Sequence, residues 1–505
     1  MKDHSLLYRW VLLVASLVTI GFLVTAAVHE NFLAEWYRLQ KEYREILRAK
    51  ATDENGRALA HDFTIELKQV SVPALKTVDR CVSCHNGVDD PRMTDVRRPH
   101  AVHPGDILKN HPVDRFGCTV CHQGQGPATN FHDAKASDVA WDYPLLDRNL
   151  TQSSCYACHD AERLPAQQVA LVLEGKKLYQ EKSCGACHKL AGRGGALGPA
   201  LDNEGAKTKH QLILTNLSPP YTTWRWHQAH FRDPAGIVAG SQMKNPTVTE
   251  HEALALTVYM LSLRQRDVPE SYLAPDKIEQ KARALHPEPL TSEQVYRQYC
   301  AACHGDGTYG RWDTTFRRFI PAIRGPSLVA TADRGYLEAQ IAQGRPGTQM
   351  PAWEKKAGGL LPAEIAAVVE YIQPDAARRP RGATAVAARI PARGDANRGA
   401  AIFLRNCAGC HGVAGHGGVA PELANPVFQK AATDEFIVTT IRNGRQRTAM
   451  PSFQPQVPGA RSLTDAELGD LLAFLRKLGS VDKAAQSIQP PAPALTAQAA
   501  RRKPR

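Results

Sequence analysis

"CAGCHGVAGHGGVAPELAN", residues 407–425, sets two cysteines two residues apart, a histidine directly behind the second, and a proline about ten residues further on. Its first five residues are one instance of a pattern. Cys81-Val-Ser-Cys84-His85, Cys118-Thr-Val-Cys121-His122, Cys155-Tyr-Ala-Cys158-His159, Cys184-Gly-Ala-Cys187-His188, Cys300-Ala-Ala-Cys303-His304 and Cys407-Ala-Gly-Cys410-His411 all follow it. Six motifs of two cysteines use all 12 cysteines of the chain.

A structural zinc site takes four ligands, usually from two CxxC halves at a short regular separation. Here the gaps run from about 25 to over 100 residues. A thiol redox motif would occur once, beside a strand–helix pattern, and would not need a histidine each time. C-x-x-C-H is instead the covalent attachment of a c-type haem, with two thioether sulfurs and an adjacent imidazole for the iron. The chain is therefore expected to carry six covalently bound haem c groups. Their thioether cysteines are Cys81, Cys84, Cys118, Cys121, Cys155, Cys158, Cys184, Cys187, Cys300, Cys303, Cys407 and Cys410. Their proximal ligands are His85, His122, His159, His188, His304 and His411. With every thiol consumed, no disulfide framework is available, and haem attachment of this kind takes place outside the cytoplasmic membrane.

The 505 residues suffice for three or four small domains. The net charge of +12 suits an acidic partner or an anionic lipid surface, or serves only solubility, since acidic and basic residues are mixed throughout. No nucleic-acid partner is expected.

Trp10 to Val28, "WVLLVASLVTIGFLVTAAV", carries no charge and as a helix spans about 28 Å, close to the hydrocarbon thickness of a bilayer. A cleaved signal peptide is the competing reading, with Ala26-Ala27 as a poor cleavage site. The apolar run is longer than a usual signal core, and "NFLAEWYRLQKEYREILRAK" continues it as an amphipathic helix, so an uncleaved single-pass anchor is expected over 1–30 and a helical stalk over 31–65. Because the haems must lie outside the cytoplasm, the short N-terminus stays inside and the body stands in the periplasm or an equivalent space.

The last three motifs each sit in a repeat with the same order of signals. A small residue and an aromatic four positions on precede the motif on one helix face: Gly175 and Tyr179, Ser292 and Tyr296, Gly399 and Phe403. A proline follows it (Pro199, Pro326, Pro421), then a methionine: Met243 in "GSQMKNP", Met350 in "GTQMPAW", Met450 in "RTAMPSF". Each repeat closes on an apolar helix with an aromatic: "LALTVYMLSL", "EIAAVVEYI" and "ELGDLLAFLRKL". This order resembles the class I cytochrome c domain. The resemblance implies crossing first and last helices, a proline carbonyl that orients the proximal histidine, and a methionine sixth ligand. The implied pairs are His188 with Met243, His304 with Met350, and His411 with Met450. Departures concern Ser292, which replaces the usual glycine, Pro326, which lies 22 residues after its histidine with "RWDTTFRRFI" inserted, and Met243, which lies far from its histidine and is followed by Lys244 instead of proline. Methionine is also common as core filler. Yet the chain has only 6, and three stand at the ligand position of three repeats.

The first three motifs lack this frame. About 100 residues cannot bury three porphyrins in a core of their own, so the haems must pack on one another. Met93 is the only methionine near, whereas His100, His103, His111 and His132 lie in the stretch and His61 just upstream. "VHPGD", "NHPVDRFGCTVCH" and "TNFHDAKA" resemble elements of periplasmic trihaem and tetrahaem modules, which implies bis-histidine ligation. His103, His111 and His132 are the expected distal ligands, with His100 and then His61 as substitutes.

The expected fold is mainly α: anchor (1–30), stalk (31–65), loop-rich trihaem module (66–165), cytochrome c domains at 166–270, 285–376 and 393–480, a linker at 377–392 and a disordered tail at 481–505. Methionine ligation raises haem potential, so electrons are expected to run outward from the membrane. The donor would be a membrane quinol-oxidising or b-type cytochrome partner, and the acceptor a terminal oxidase or reductase or a soluble cytochrome. Two rivals are the cytochrome subunit of a membrane dehydrogenase and a multihaem reductase or peroxidase. The latter needs an open iron position, while enough Met and His are present to cap every iron, so the chain reads as an electron carrier with no catalytic residue. Trp224, Trp226, His227 and His230 could suggest a substrate pocket, but packing at the haem edge is the expected use.

Overall fold

The computed structural model describes residues 5–137, 141–374, 391–454 and 462–481. The linker expected at 377–392, save its last two residues, and the tail beyond 481 lie outside them. Helices dominate, and the described strands form two short antiparallel hairpins. The chain divides into two compact units: residues 1–178, 202–241 and 245–287, and residues 179–201, 242–244 and 288–505.

In the first unit, α1 (Ser5–Val28) has no buried side chain. Its 24 residues span about 36 Å at 1.5 Å each, and its length and apolarity fit a membrane anchor. The stretch read as a stalk begins with α2 (Glu35–Lys50), which buries Trp36, Leu39, Tyr43 and Leu47 at helical spacing. That face packs onto the first haem motif, where the fully buried Gln40 amide donates to the carbonyls of Ser83 (3.0 Å) and Glu66 (2.8 Å). Next comes α3 (Glu54–Asp62), capped by the Asp53 carboxylate, which accepts from the Gly56 N–H at 2.7 Å. Tyr43, Leu47, Ala60 and Met93 make one apolar cluster, so Met93 is core filler. The hairpin β1 (Val70–Val72) and β2 (Thr77–Asp79) leads into the motifs, which sit on short turns.

The unit continues with α4 (Ala166–Glu181), α5 (Thr223–Arg232), α6 (Glu250–Ser262) and α7 (Pro275–Leu285). A Thr249/Glu252 capping box starts α6, which is buried on nearly every face. Gly175 of α4 sits against the Ala255 carbonyl and Tyr259 of α6, the close approach its lack of a Cβ allows.

The second unit holds α8 (Ser292–Val295), the hairpin β3 (Arg311–Asp313) and β4 (Arg318–Ile320), α9 (Pro326–Thr331), α10 (Arg334–Gln343) and α11 (Pro362–Ile372). After these come α12 (Ala396–Asn406), α13 (Pro426–Ala431), α14 (Asp434–Asn443) and α15 (Asp465–Val481). First and last helices of each repeat meet: α8 packs on α11, and α12 crosses α15. At the second crossing Phe403 meets Phe474 (centroids 5.2 Å apart), and the Arg398 guanidinium donates twice to Asp470, at 2.8 and 2.9 Å. The two repeats also share one core, because α10 packs on α13 and α9 on α14.

Gly399 touches the Asp470 carbonyl and Phe474 at this crossing, so a larger side chain must push α12 off α15. Gly399→Val is expected to cost about 1–3 kcal/mol by overpacking. The check is a lower melting temperature of the chain with its haem content unchanged.

Candidate functional site

In the second unit a cavity of about 630 Å³ is lined by Cys300, Cys303, His304 and Met350 of one repeat and by Cys407, Cys410, His411 and Met450 of the next. Both sets of expected haem ligands thus open into one largely apolar space, whose size and lining fit bound macrocycles.

Each motif histidine here is oriented by a backbone carbonyl. The Nδ1–H of His188 donates to Pro199 at 2.8 Å and that of His411 to Pro421 at 2.8 Å, the orientation expected of an imidazole that would bind iron through Nε2. In the middle repeat the partner is Pro321, at 3.3 Å from His304 Nδ1, which corrects the expectation placed on Pro326. The inserted segment folds into β3–β4, and its return strand delivers Pro321 to the histidine, while Pro326 opens α9.

The methionine loops of the second and third repeats share one hydrogen-bond pattern. The Arg345 N–H donates to the Met350 carbonyl (2.9 Å) and the Met350 N–H to Thr348 Oγ1 (3.2 Å); Arg445, Thr448 and Met450 repeat both bonds at 3.1 and 3.2 Å. Met243 belongs to the same unit. Its neighbour Lys244 pairs with Asp313 at 2.5 Å and donates to the Ala302 carbonyl at 3.0 Å, fastening the Met243 loop to the middle haem motif.

The motifs form two runs in chain order. In the first unit the Cys81 and Cys118 thiols touch, and Cys121 lies beside Cys155 and Cys158. In the second unit Cys187 neighbours Cys303, and the shared cavity joins the motifs of His304 and His411. Buried Asp79 links the first pair: its carboxylate accepts from the backbone N–H groups of Cys118 (2.5 Å) and Thr119 (3.0 Å) and from the Thr119 hydroxyl (2.7 Å). Asp160, equally buried, accepts from Gln280 (2.8 Å) and Arg283 (2.9 Å) and so ties the third motif to α7. Sequence reading missed both aspartates. The available signal was an acidic residue within two positions of a motif.

Among the expected distal histidines, His103 faces His122 with ring centroids 6.3 Å apart, and His111 faces His159 at 5.9 Å. Two imidazoles on one iron, each at a metal–nitrogen distance of about 2.0–2.1 Å, have centroids on the order of 6 Å apart. The Nδ1–H of His103 donates to Pro104 (3.1 Å) and that of His111 to Ile107 (3.0 Å), freeing Nε2 in both. His132 differs. Its ring is 75% exposed and its Nδ1 faces Asp133 at 3.4 Å. His100, by contrast, is 4% exposed, and neither ring nitrogen has a hydrogen-bond partner; Glu42 lies 3.6 Å away, beyond hydrogen-bond range. It is also close to His85, whose proton affinity falls through desolvation first and then through His100, against the Pro99 carbonyl, which raises it. His61 is exposed and meets Asp62 at 2.9 Å.

Burial pushes the thiols of Cys184 and Cys300 up to about 12 and those of Cys187 and Cys407 to about 11, the opposite of a reactive dithiol. Cys81 is drawn down by the neighbouring Cys118. His304 is pushed down to about 4, chiefly by burial, so it is neutral at physiological pH, the form that binds iron. No cluster of three His, Cys, Asp or Glu suited to a metal ion occurs among the described residues. Trp226 and His227 are packed: the Trp226 indole donates to the Ile213 carbonyl (2.9 Å), and His227 is buried.

Comparison with known proteins adds the following. A family model described as "Cytochrome C oxidase, cbb3-type, subunit III" matches residues 287–372 and 394–475, and one described as "Cytochrome c" matches 172–264. A "Cytochrome bc1 complex cytochrome c subunit" of Mycobacterium bovis is 29% identical over 203 residues, 37% of this chain and 62% of that one. A "Cbb3-type cytochrome c oxidase subunit CcoP" of Rhodobacter capsulatus is 29% identical over 194 residues, 37% of this chain and 60% of its own. A "Cytochrome c-553-like" protein of Synechocystis is 36% identical over 86 residues, 17% of this chain and 71% of its own. The chain thus spans about three fifths of the length of the first two.

Proposed function

For a chain that belongs to the cytochrome c family, with covalently bound haem c and electron transfer as its work, we propose a six-haem relay that carries electrons outward from a membrane donor. The observation that carries this is the order of the motifs, two runs of three neighbours, the first set among histidines and the second among the methionine loops, which we read as a change of distal ligand along the chain.

Each chain group has a defined part. The motif cysteines would hold the macrocycle and the motif histidines the iron, while the carbonyls of Pro199, Pro321 and Pro421 orient the imidazoles. Bound haem supplies one-electron exchange between ferric and ferrous iron. Met243, Met350 and Met450 offer a soft thioether that favours the ferrous state, whereas the paired histidines His85/His100, His122/His103 and His159/His111 favour the ferric. The apolar lining of the shared cavity would keep water from the haems and so lower the reorganisation each transfer demands.

α1 would hold the protein to the cytoplasmic membrane by a single pass, with the haem domains on the extracytoplasmic side. The bc1 and cbb3 relatives support a quinol-oxidising or b-type cytochrome donor and an oxidase, reductase or soluble cytochrome acceptor. A potentiometric titration should resolve three low-potential and three high-potential haems, and a high-potential group with bis-histidine spectra would refute the direction. Haem assay should return six groups per chain, and Cys303→Ala should cost one of them without disturbing the other five.

A further inference from the structure

Arg345 and Arg445 stand at matching places in the second and third repeats, each five residues before its ligand methionine, and both line the shared cavity. Each crosses to the other repeat. The Arg345 guanidinium donates to the Glu422 carbonyl at 2.5 Å, directly after the proline that orients His411, and to its own Gln340 at 3.4 Å. Arg445 donates to the Ser327 carbonyl at 2.8 Å and to Thr331 Oγ1 at 2.7 Å across the interface, and to its own Thr440 at 2.7 Å. Phe428 lies under Arg345 and Phe436 under Arg445.

All these partners are neutral. Among the described residues neither arginine meets a carboxylate, although the chain pairs other arginines readily, as with Arg398 and Asp470. Burial has pushed Arg445 down to about 10, against the nearby Tyr336, which raises it. Both arginines are half-buried, and a cation partly withdrawn from water without an anion is costly, a cost that neutral hydrogen bonds offset only in part. Two such cations facing one cavity imply that the missing anions arrive with its occupant, and each haem carries two carboxylates.

We propose that Arg345 and Arg445 bind the haem carboxylates of the second and third repeats across their interface and hold both haems at raised potential. This rests on the reading of the cavity as two His/Met haem sites. A fixed positive charge beside an iron disfavours the more positive ferric state, and pairing the carboxylates removes negative charge that would favour it. Because each guanidinium reaches the opposite repeat, losing one disturbs both haems, which distinguishes the pair from arginines serving one domain.

The test uses the full chain with R345Q, R445Q, the double variant and the two lysine variants. Haem content and the far-red thioether–ferric band are recorded first, then a spectroelectrochemical titration. In the glutamine variants the haem count and the band should persist, while the ferrous-to-ferric ratio of the two haems at fixed poise falls about tenfold per arginine, or about 59 mV for a one-electron couple. Lysine should restore most of the loss. Haem loss in a glutamine variant that lysine repairs would also support the proposal. Unchanged potentials, or equal shifts in the glutamine and lysine variants, would overturn it. A parent chain without the far-red band would instead reject the His/Met reading itself.

Discussion

With histidine in place of Met450, the haem of the third repeat is expected to drop in midpoint potential by a large part of the roughly 0.8 V that axial ligands command. Met450 and His411 line the same cavity, and the Met450 loop is held by Thr448 and Arg445, so an imidazole placed there starts from the same backbone. The imidazole nitrogen stabilises ferric iron more than the thioether does. An electron arriving from the second repeat would then face an uphill final step, and delivery to an acceptor should slow while reduction of the first three haems is unaffected. Met350→His should act likewise one step earlier. Spectroelectrochemistry of each variant supplies the check, together with partial loss of the far-red band. A Met450→His chain with the parent's potentials would show that this methionine is not the ligand.

The second large effect separates two histidines. His100→Met is expected to raise the potential of the first haem and to convert one bis-histidine spectrum to a His/Met one, whereas His132→Met leaves all six unchanged. Both nitrogens of His100 are enclosed beside His85 without a hydrogen bond, Glu42 standing off at 3.6 Å, while His132 is exposed and turned to Asp133. A buried imidazole without a hydrogen bond is destabilising unless something binds it. Electron paramagnetic resonance of the two variants reads the ligand change directly, and a spectral change in His132→Met with none in His100→Met would reverse the assignment.

The attachment motifs were legible because they are local, a fixed spacing that any fold must present to one macrocycle, and the methionine positions were proposed from their recurrence in three repeats. The α class followed from the helices that flank each repeat. Pro326 was misread because a turn count along the chain cannot see a hairpin: β3–β4 loops out and brings Pro321 to His304. The distal histidines were legible neither as pairs nor as a full set: His103 and His111 do face motif histidines, but exposed His132 gives way to buried His100, since a ligand reached across a loop leaves no spacing rule. Asp79 and Asp160 gave no motif at all, because their role is to bury a charge against amides and side chains distant in sequence.

The sequence by itself thus determined the cofactor chemistry, a helix long and apolar enough for a membrane anchor, and the repeat, since covalent attachment, a bilayer-length apolar run and a recurring order of motif and methionine are written along the chain. Only the tertiary structure decided which histidines face which, the neighbour order within each run, and the joining of two haem clefts into one cavity with Arg345 and Arg445 across it. Those depend on distances between residues far apart in the chain, which packing sets and local spacing does not encode.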